Sequence, residues 1–322
     1  MASVKSRIRS LSITPRTYRG ITLFVLLALA FIIVSGASVR LTGSGLGCSD
    51  WPNCEPGRLV APVEYHALVE FVNRMVTGLV SVAVIAAVLG SLLRRPRRRD
   101  LIYLSAGLVA GVIAQIVLGG LTVIFELRPP FVMGHFLLSM VLVWNAVLLH
   151  YRAGRPDTAP RRAVSPHLLH VVRAVYVAAA VVVFTGTVVT ASGPHGGDED
   201  AQRFDVALPD VTRVHTGAVI LLVILVLILA WFETREPGGE RLVPATRALL
   251  LLLLAQATVG YVQYFNELPP LLVGIHVAGA VSIWSTVVFL SLRCTERPSP
   301  ETSASAAAEV GSPAAVPPAV HA

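Results

Sequence analysis

The chain has 322 residues, of which 54% are hydrophobic and only 14% charged, and its mean hydropathy is +0.70. A soluble core of this length cannot hide so much apolar surface, so the composition predicts an integral membrane protein. The formal charge of +7 comes from arginine clusters between apolar segments, which argues against nucleic-acid binding.

Eight apolar segments are long enough to cross a bilayer as helices, which takes about 18 or more residues. The alternating pattern of a membrane barrel is absent from them. The predicted spans are residues 20–39, 66–93, 101–124, 130–150, 168–191, 210–233, 244–265 and 270–292.

The charged residues between these spans predict the orientation. Basic clusters lie at the N-terminus and in the even loops, whereas the acidic residues Asp50, Glu126 and Glu267 lie in the odd loops. The positive-inside rule then places both termini in the cytoplasm of a bacterial-type cell membrane. The predicted cytoplasmic segments are an N-terminus at 1–19, a linker at 151–167 and a disordered Ala-, Pro- and Ser-rich tail at 293–322.

The first span has an alternative interpretation as a cleaved signal peptide. A basic leader precedes it, and the small residues Ser35-Gly36-Ala37 lie near its end. Cleavage would leave seven spans and remove a helix that has a counterpart in the second half of the chain. A retained membrane helix is therefore favoured.

Two hairpins have nearly the same sequence pattern. Ala-Gln-x-x-x-Gly, Glu-Leu-x-Pro and a histidine follow one another in 114–135 and again in 255–276, and the glutamate-to-histidine spacing is 135 − 126 = 9 and 276 − 267 = 9 residues. Ser35-Gly36 likewise resembles Thr185-Gly186, at an offset of 150. The fold class predicted is therefore an all-α integral membrane protein with eight transmembrane helices in two pseudo-symmetric four-helix bundles, at 20–150 and 168–292.

The repeat places four residues at one depth, near the outer ends of the even-numbered helices. They are Asn73, His135, His215 and His276. A lone histidine in a membrane helix is usually hydrogen-bonded to a neighbouring helix. Three at equivalent positions favour haem binding, because neutral imidazole ligates haem iron and facing helices can supply one ligand each. Nearby glycines would suit either a flat macrocycle or plain helix packing: Gly119, Gly120, Gly134, Gly217, Gly260, Gly274 and Gly279.

Glu70 is a carboxylate within a predicted span, which costs about 2.5–3.5 kcal/mol on insertion scales. An ion pair with Arg74, four residues later, is the simplest explanation. The polar stripe is longer, however, and also contains His66, Asn73 and Thr77. A proton relay or a contact with a reactive intermediate is therefore the alternative. Gln115 and Gln256 are assigned only to interhelical hydrogen bonds.

Cys48 and Cys54 lie in the first outer loop. An extracytoplasmic face is oxidising, so the pair predicts a local disulfide, either a structural staple or a reversible redox pair. Direct metal binding is less favoured because there is no second cysteine pair. Cys294, at the cytoplasmic end of the last span, is predicted to be free.

Together these residues resemble the haem A synthases, which convert haem O into haem A for terminal oxidases. The resemblance extends from about residue 20 to 292 and rests on the spans, the cysteine pair, the Glu-x-x-Asn-Arg element in helix two and the histidines of helices four, six and eight. It implies a haem b whose iron is bound by His215 and His276, and a substrate haem whose iron is bound by His135. It also implies a catalytic role for Glu70 and a disulfide between the loop cysteines. Candidate supports of the substrate site are His66, Asn73 and Arg74.

The implied reaction is oxidation of one ring methyl of haem O to a formyl group by successive hydroxylations, an oxidoreductase activity. The implied partners are haem O synthase, a membrane or soluble electron donor and the lipid bilayer. One departure is Asn73, which stands where much of the family has histidine. An amide is a poor iron ligand, so the substrate site has His135 alone, or His66 reaches in from about two turns earlier.

Two other classes compete with this interpretation. A non-catalytic b-type electron carrier would hold a haem in each half, but the two halves offer different side chains: His215 with His276, and His135 with Asn73. A parallel-repeat transporter would have broken helices with polar residues at the midplane, and these spans are mostly unbroken there.

Overall fold

A computed structural model describes residues 12–58 and 60–298. Its eight long helices are α1 (Pro15–Leu41), α2 (Tyr65–Leu93), α3 (Arg99–Ile124), α4 (Pro129–Ala153), α5 (Pro166–Ser192), α6 (Leu208–Glu233), α7 (Val243–Phe265) and α8 (Pro270–Arg293). All eight are long and apolar enough to cross a membrane, which confirms the predicted spans. The predicted disorder of the tail concerns mainly 299–322, which lie outside the described residues.

The first helix begins five residues before its predicted start at residue 20. Thr14 caps it, since the Thr14 hydroxyl accepts a hydrogen bond of 3.1 Å from the amide of Thr17, and Pro15 occupies the first turn. Both features favour a helix N-terminus. The hydropathy pattern does not detect this start because the first turn is polar.

The helices form two rings of four. In the first, α1, α2, α3 and α4 contact one another in sequence and α4 closes on α1; in the second, α5 to α8 do the same. The rings meet through contacts of α8 with α1 and α4, and of α4 with α5. At this interface the indole Nε1 of Trp284 donates a 2.9 Å hydrogen bond to the carbonyl of Met140. The arrangement confirms two four-helix bundles.

We call the two ends of the molecule the arginine end and the histidine end. The arginine end carries both described termini and the loops after α2, α4 and α6, and the histidine end carries the other four loops. At the arginine end the antiparallel pair β1 (Arg161–Arg162) and β2 (Thr295–Glu296) joins the α4–α5 linker to the segment after α8. Arg98 is 2% exposed there and donates to the carboxylate of Asp100, at 2.7 and 3.1 Å. This buried guanidinium is therefore paired, as burial of a charge requires.

The repeated Glu-Leu pairs form two turns of the same shape. The φ angles are 50° and 57° at Glu126 and Leu127, and 60° and 57° at Glu267 and Leu268. The leucine amide of each turn, that of Leu127 or Leu268, donates to a carbonyl five residues earlier at 2.8 Å, which is a Schellman-type helix end. Left-handed backbone costs about 1–2 kcal/mol per non-glycine residue. The sequence repeat thus corresponds to a strained turn present in both bundles.

Candidate functional site

His135 of α4 and His276 of α8 each pack against a glycine of the preceding helix. A Cβ atom added at Gly119 would lie 3.3 Å from Cε1 of His135, and one added at Gly260 would lie 3.2 Å from Cε1 of His276. The imidazoles therefore contact helix backbone directly. The backbone carbonyl of each histidine accepts a hydrogen bond from a glutamine of that preceding helix: Gln115 to His135 at 3.0 Å and Gln256 to His276 at 2.6 Å. The predicted interhelical role of the two glutamines is confirmed.

His215 has the same type of neighbour. A Cβ atom at Gly186 of α5 would lie 3.2 Å from its Cε1, and its Nδ1 lies 3.0 Å from the hydroxyl of Thr185. Helices α6 and α8 occupy opposite corners of the second ring, because each contacts α5 and α7. His215 and His276 are thus presented from opposite sides of one bundle, at the same end.

In the first ring, the position equivalent to His215 is occupied by Asn73. The hydroxyl of Ser35 donates to Oδ1 of Asn73 at 2.8 Å, as the Thr185 hydroxyl contacts His215 in the second ring. Asn73 on α2 and His135 on α4 occupy opposite corners of the first ring. The predicted equivalence of Asn73 and His215 is therefore confirmed by their surroundings.

The histidine ring nitrogens fit haem ligation. Nδ1 of His135 and Nδ1 of His276 are buried without a hydrogen-bond partner among the described residues. Within residues 12–58 and 60–298, Nε2 of His135, His215 and His276 also makes no hydrogen bond to protein. Nδ1 of His135 and of His276 lies on the ring edge that faces the neighbouring glycine, so Nε2 is the nitrogen left open to a ligand. The same ranges contain no cluster of three His, Cys, Asp or Glu side chains able to hold a bare metal ion.

His66 lies at the second position of α2. It is exposed, and its Nδ1 is 2.9 Å from the hydroxyl of Ser44. Seven residues separate it from Asn73, which is about 10 Å along a helix axis. Its role as an iron ligand stays a prediction.

Cys48 and Cys54 form a disulfide, as predicted, and both are fully buried. Cys294 is the free cysteine of the described residues, also as predicted. The disulfide closes a short loop at the histidine end. We call residues 48–54 the disulfide loop.

The Glu70–Arg74 pair fixes the disulfide loop. Glu70 is 6% exposed, its Oε1 accepts from Nη2 of Arg74 at 2.5 Å, and its Oε2 accepts from the amide of Cys48 at 2.8 Å. Arg74 in turn donates to the carbonyls of Asp50 at 3.2 Å and Asn53 at 2.8 Å. The predicted ion pair is confirmed, and it also anchors both sides of the loop. The anchoring could not be predicted from the sequence because it depends on how the loop folds back onto α2.

Trp51 of the disulfide loop lies against α3 at Gly120. A Cβ atom at Gly120 would be 2.9 Å from Cδ2 of the indole. Gly120 directly follows Gly119, which contacts His135. No function was assigned to Trp51 from the sequence. The features that could have indicated its position are the Gly119-Gly120 doublet and the placement of a tryptophan between two cysteines.

The loops of the two bundles also touch. The amide of Gly45, in the loop after α1, donates to the carbonyl of Gly197, in the loop after α5, at 2.8 Å. A Cβ atom at either glycine would meet Cδ1 of Leu127, at 2.9 and 3.0 Å. One strained turn therefore packs where the loops of both repeats meet.

The fold and the site define a duplicated eight-helix membrane protein with imidazoles at one end of each bundle. A family model described as COX15-CtaA, cytochrome oxidase assembly protein, matches residues 19–66 and 59–194, together more than half of the chain. The chain is 26% identical over 288 residues to a haem A synthase of Listeria welshimeri, covering 84% of this chain and 92% of the relative. It is 27% identical over 277 residues to one of Shouchella clausii (81% and 91%), and 24% over 270 residues to one of Bacillus licheniformis (79% and 88%). The chain belongs to the haem A synthase family of cytochrome oxidase assembly proteins.

Proposed function

We propose that this chain is a haem A synthase, an oxidoreductase that converts a ring methyl of haem O into a formyl group by successive hydroxylations. The proposal is supported by the family and by the names of the similar proteins. The observation that carries it is the difference between the two bundles: the position of His215 in one is taken by Asn73 in the other. Two unlike sites suit a fixed cofactor and an exchanging substrate.

The second bundle is the proposed site of haem b, with its iron bound by His215 and His276. Bound haem would supply one-electron chemistry. The protein's part is orientation: the Thr185 hydroxyl fixes Nδ1 of His215 and leaves Nε2 for the iron. Gly186 and Gly260 allow the close approach of each imidazole to its neighbouring helix.

The first bundle is the proposed site of substrate haem O, with His135 as its axial ligand. Asn73 cannot replace an imidazole, so the protein binds the substrate iron from one side, or His66 supplies a second ligand. One strong ligand would also ease release of the product. His66, Asn73 and Arg74 are the proposed supports of this site.

Glu70 is the proposed catalytic residue, relaying protons to the substrate. Among the described residues it is the only buried carboxylate at the histidine end. Both of its oxygens are engaged in the resting structure, by Arg74 and by the amide of Cys48. A proton relay through Glu70 therefore requires one of these contacts to open.

The proposed location is a bacterial-type cell membrane, with the arginine end and both termini in the cytoplasm. The arginine clusters of the even loops support this orientation. The substrate would come from a haem O synthase, and electrons from a membrane or soluble donor.

The proposal is tested by expressing the chain in cells that make haem O and extracting the pigments. We expect haem A with the natural chain and none with His135→Ala. A suitable control is Gly78→Ala, because a Cβ atom at Gly78 meets nothing within 4 Å. A natural chain that carries a b-type spectrum but yields no haem A would instead be an electron carrier.

A further inference from the structure

The main chain on both sides of Trp51 is held by one guanidinium. Arg74 donates to the carbonyl of Asp50 at 3.2 Å and to that of Asn53 at 2.8 Å, while Glu70 holds Arg74 at 2.5 Å. The amide of Trp51 itself donates to Oδ1 of Asp50 at 2.7 Å. The indole is therefore presented by a loop that is fixed by charge-assisted hydrogen bonds as well as by the disulfide.

The indole fills a place that a side chain on α3 would otherwise occupy. A Cβ atom at Gly120 would lie 2.9, 3.0 and 3.1 Å from three ring atoms of Trp51, closer than packed carbon atoms approach. The preceding residue, Gly119, supports the imidazole of His135. Successive helix residues are only 1.5 Å apart along the axis. The indole and the imidazole thus contact adjacent residues of one helix, at nearly the same depth and about 100° apart around its axis.

The second bundle lacks this arrangement. The residue equivalent to Gly120 is Tyr261, which follows Gly260 and is 68% exposed. The corresponding loop, at 193–207, contains neither cysteine nor tryptophan. An indole beside the axial histidine is therefore a property of the first bundle alone, the bundle assigned to the substrate.

We propose that Trp51 is a positioning residue for the substrate porphyrin: it forms an aromatic wall of the pocket beside His135, and Glu70 and Arg74 hold it there through the disulfide loop. The identity of the substrate as haem O rests on the proposed function. Indole and porphyrin are both flat and apolar, so contact between them stabilises binding by dispersion and burial. Part of any effect of Glu70 on the substrate is then transmitted through the position of this indole.

The test measures release of bound haem without turnover. The protein is purified anaerobically from cells that make haem O, and loss of haem O and of haem b to excess apomyoglobin is followed separately by pigment extraction. We expect Trp51→Ala to lose haem O about tenfold faster, the effect of about 1.4 kcal/mol of lost aromatic contact. Trp51→Phe retains most of the wall and should lie close to the natural chain.

A second variant reaches the same indole from the opposite side. Gly120→Ala places a methyl where the ring lies, so it should also accelerate haem O loss, whereas Gly78→Ala, a matched change in open space, should not. Haem b release should stay unchanged throughout. Haem O loss at the natural rate in both Trp51→Ala and Gly120→Ala would overturn the proposal, as would equal acceleration of haem b loss. A natural chain that retains haem O but forms no haem A in air would defeat the proposed function and leave this inference standing.

Discussion

Gly260 and His276 are in direct contact: a Cβ atom on residue 260 would stand 3.2 Å from Cε1 of the imidazole. The backbone of His276 is held to the same helix by the hydrogen bond from Gln256 to its carbonyl, at 2.6 Å. The imidazole therefore lies directly against α7, with no space for an added side chain at residue 260. Interiors packed in this way respond to a single added methyl group.

Replacement of this glycine by a branched residue should displace the imidazole. We expect Gly260→Val to lose the b-type absorbance or shift it strongly, because iron ligation tolerates little movement of the ligand. The control is Gly217→Ala, two residues after His215, where a Cβ atom meets nothing within 4 Å. Equal spectra for the purified variants would show that the contact does not position the ligand.

The three histidines should differ in their effect on the resident haem. His215→Ala or His276→Ala should abolish the b-type absorbance of the purified protein, whereas His135→Ala should retain it, because only the first two share a bundle. Visible spectra of the reduced proteins make the comparison. An undiminished spectrum after loss of either His215 or His276 would remove the haem b assignment.

The two sites can be made more alike by one substitution. Asn73→His should supply the missing imidazole, and Ser35 is in place to contact it, as Thr185 contacts His215. We expect tighter retention of the substrate haem and slower product release, since a second strong axial ligand would be present. The haem content per polypeptide and the rate of haem A formation together test this; an unaltered content would mean that Asn73 does not face the porphyrin.

Removal of the Glu70 carboxylate should loosen the disulfide loop as well as stall haem A formation. Glu70→Ala leaves Arg74 and the amide of Cys48 without their partner, which costs on the order of 3 kcal/mol for a largely buried pair. We expect faster reduction of the disulfide by dithiothreitol, with haem b retained. Glu64→Ala is the matched control, because Glu64 precedes the same helix and makes no capping hydrogen bond. Normal haem A formation by Glu70→Ala would defeat the catalytic assignment.

Cys294 should resist alkylation. Burial raises the pKa of its thiol to about 11, so at pH 8 only about one molecule in a thousand carries the reactive thiolate. Cys48 and Cys54 are joined and do not react with iodoacetamide. Mass spectrometry should therefore find no label on the native protein, one after denaturation, and three after denaturation with reduction. Rapid labelling of the native protein would contradict the burial of this thiol.

The eight helices could be predicted because each is an apolar segment long enough to cross a membrane. The duplicated motif then showed which helix of the first bundle corresponds to which helix of the second. The ion pair of Glu70 with Arg74 could be predicted because helical spacing alone brings the two side chains together. The anchoring of the disulfide loop could not be predicted. Arg74 donates to backbone carbonyls, which every residue type carries, so these hydrogen bonds depend on the path of the loop and not on its residues. Gly120 shows the same limit: its neighbour Trp51 is 69 residues away in sequence, 120 − 51.

The strained turns before α4 and α8 fix where the next histidine lies in each repeat. In each repeat the left-handed glutamate is followed, nine residues later, by His135 or His276, and the new helix starts at Pro129 or Pro270. One residue inserted between turn and histidine would rotate the imidazole by about 100° and move it about 1.5 Å, away from its glycine. The number of residues after the turn therefore sets both the depth and the direction of the imidazole. The side chains can differ between the bundles, as Asn73 and His215 do, but a change in this length would move the imidazole away from its glycine.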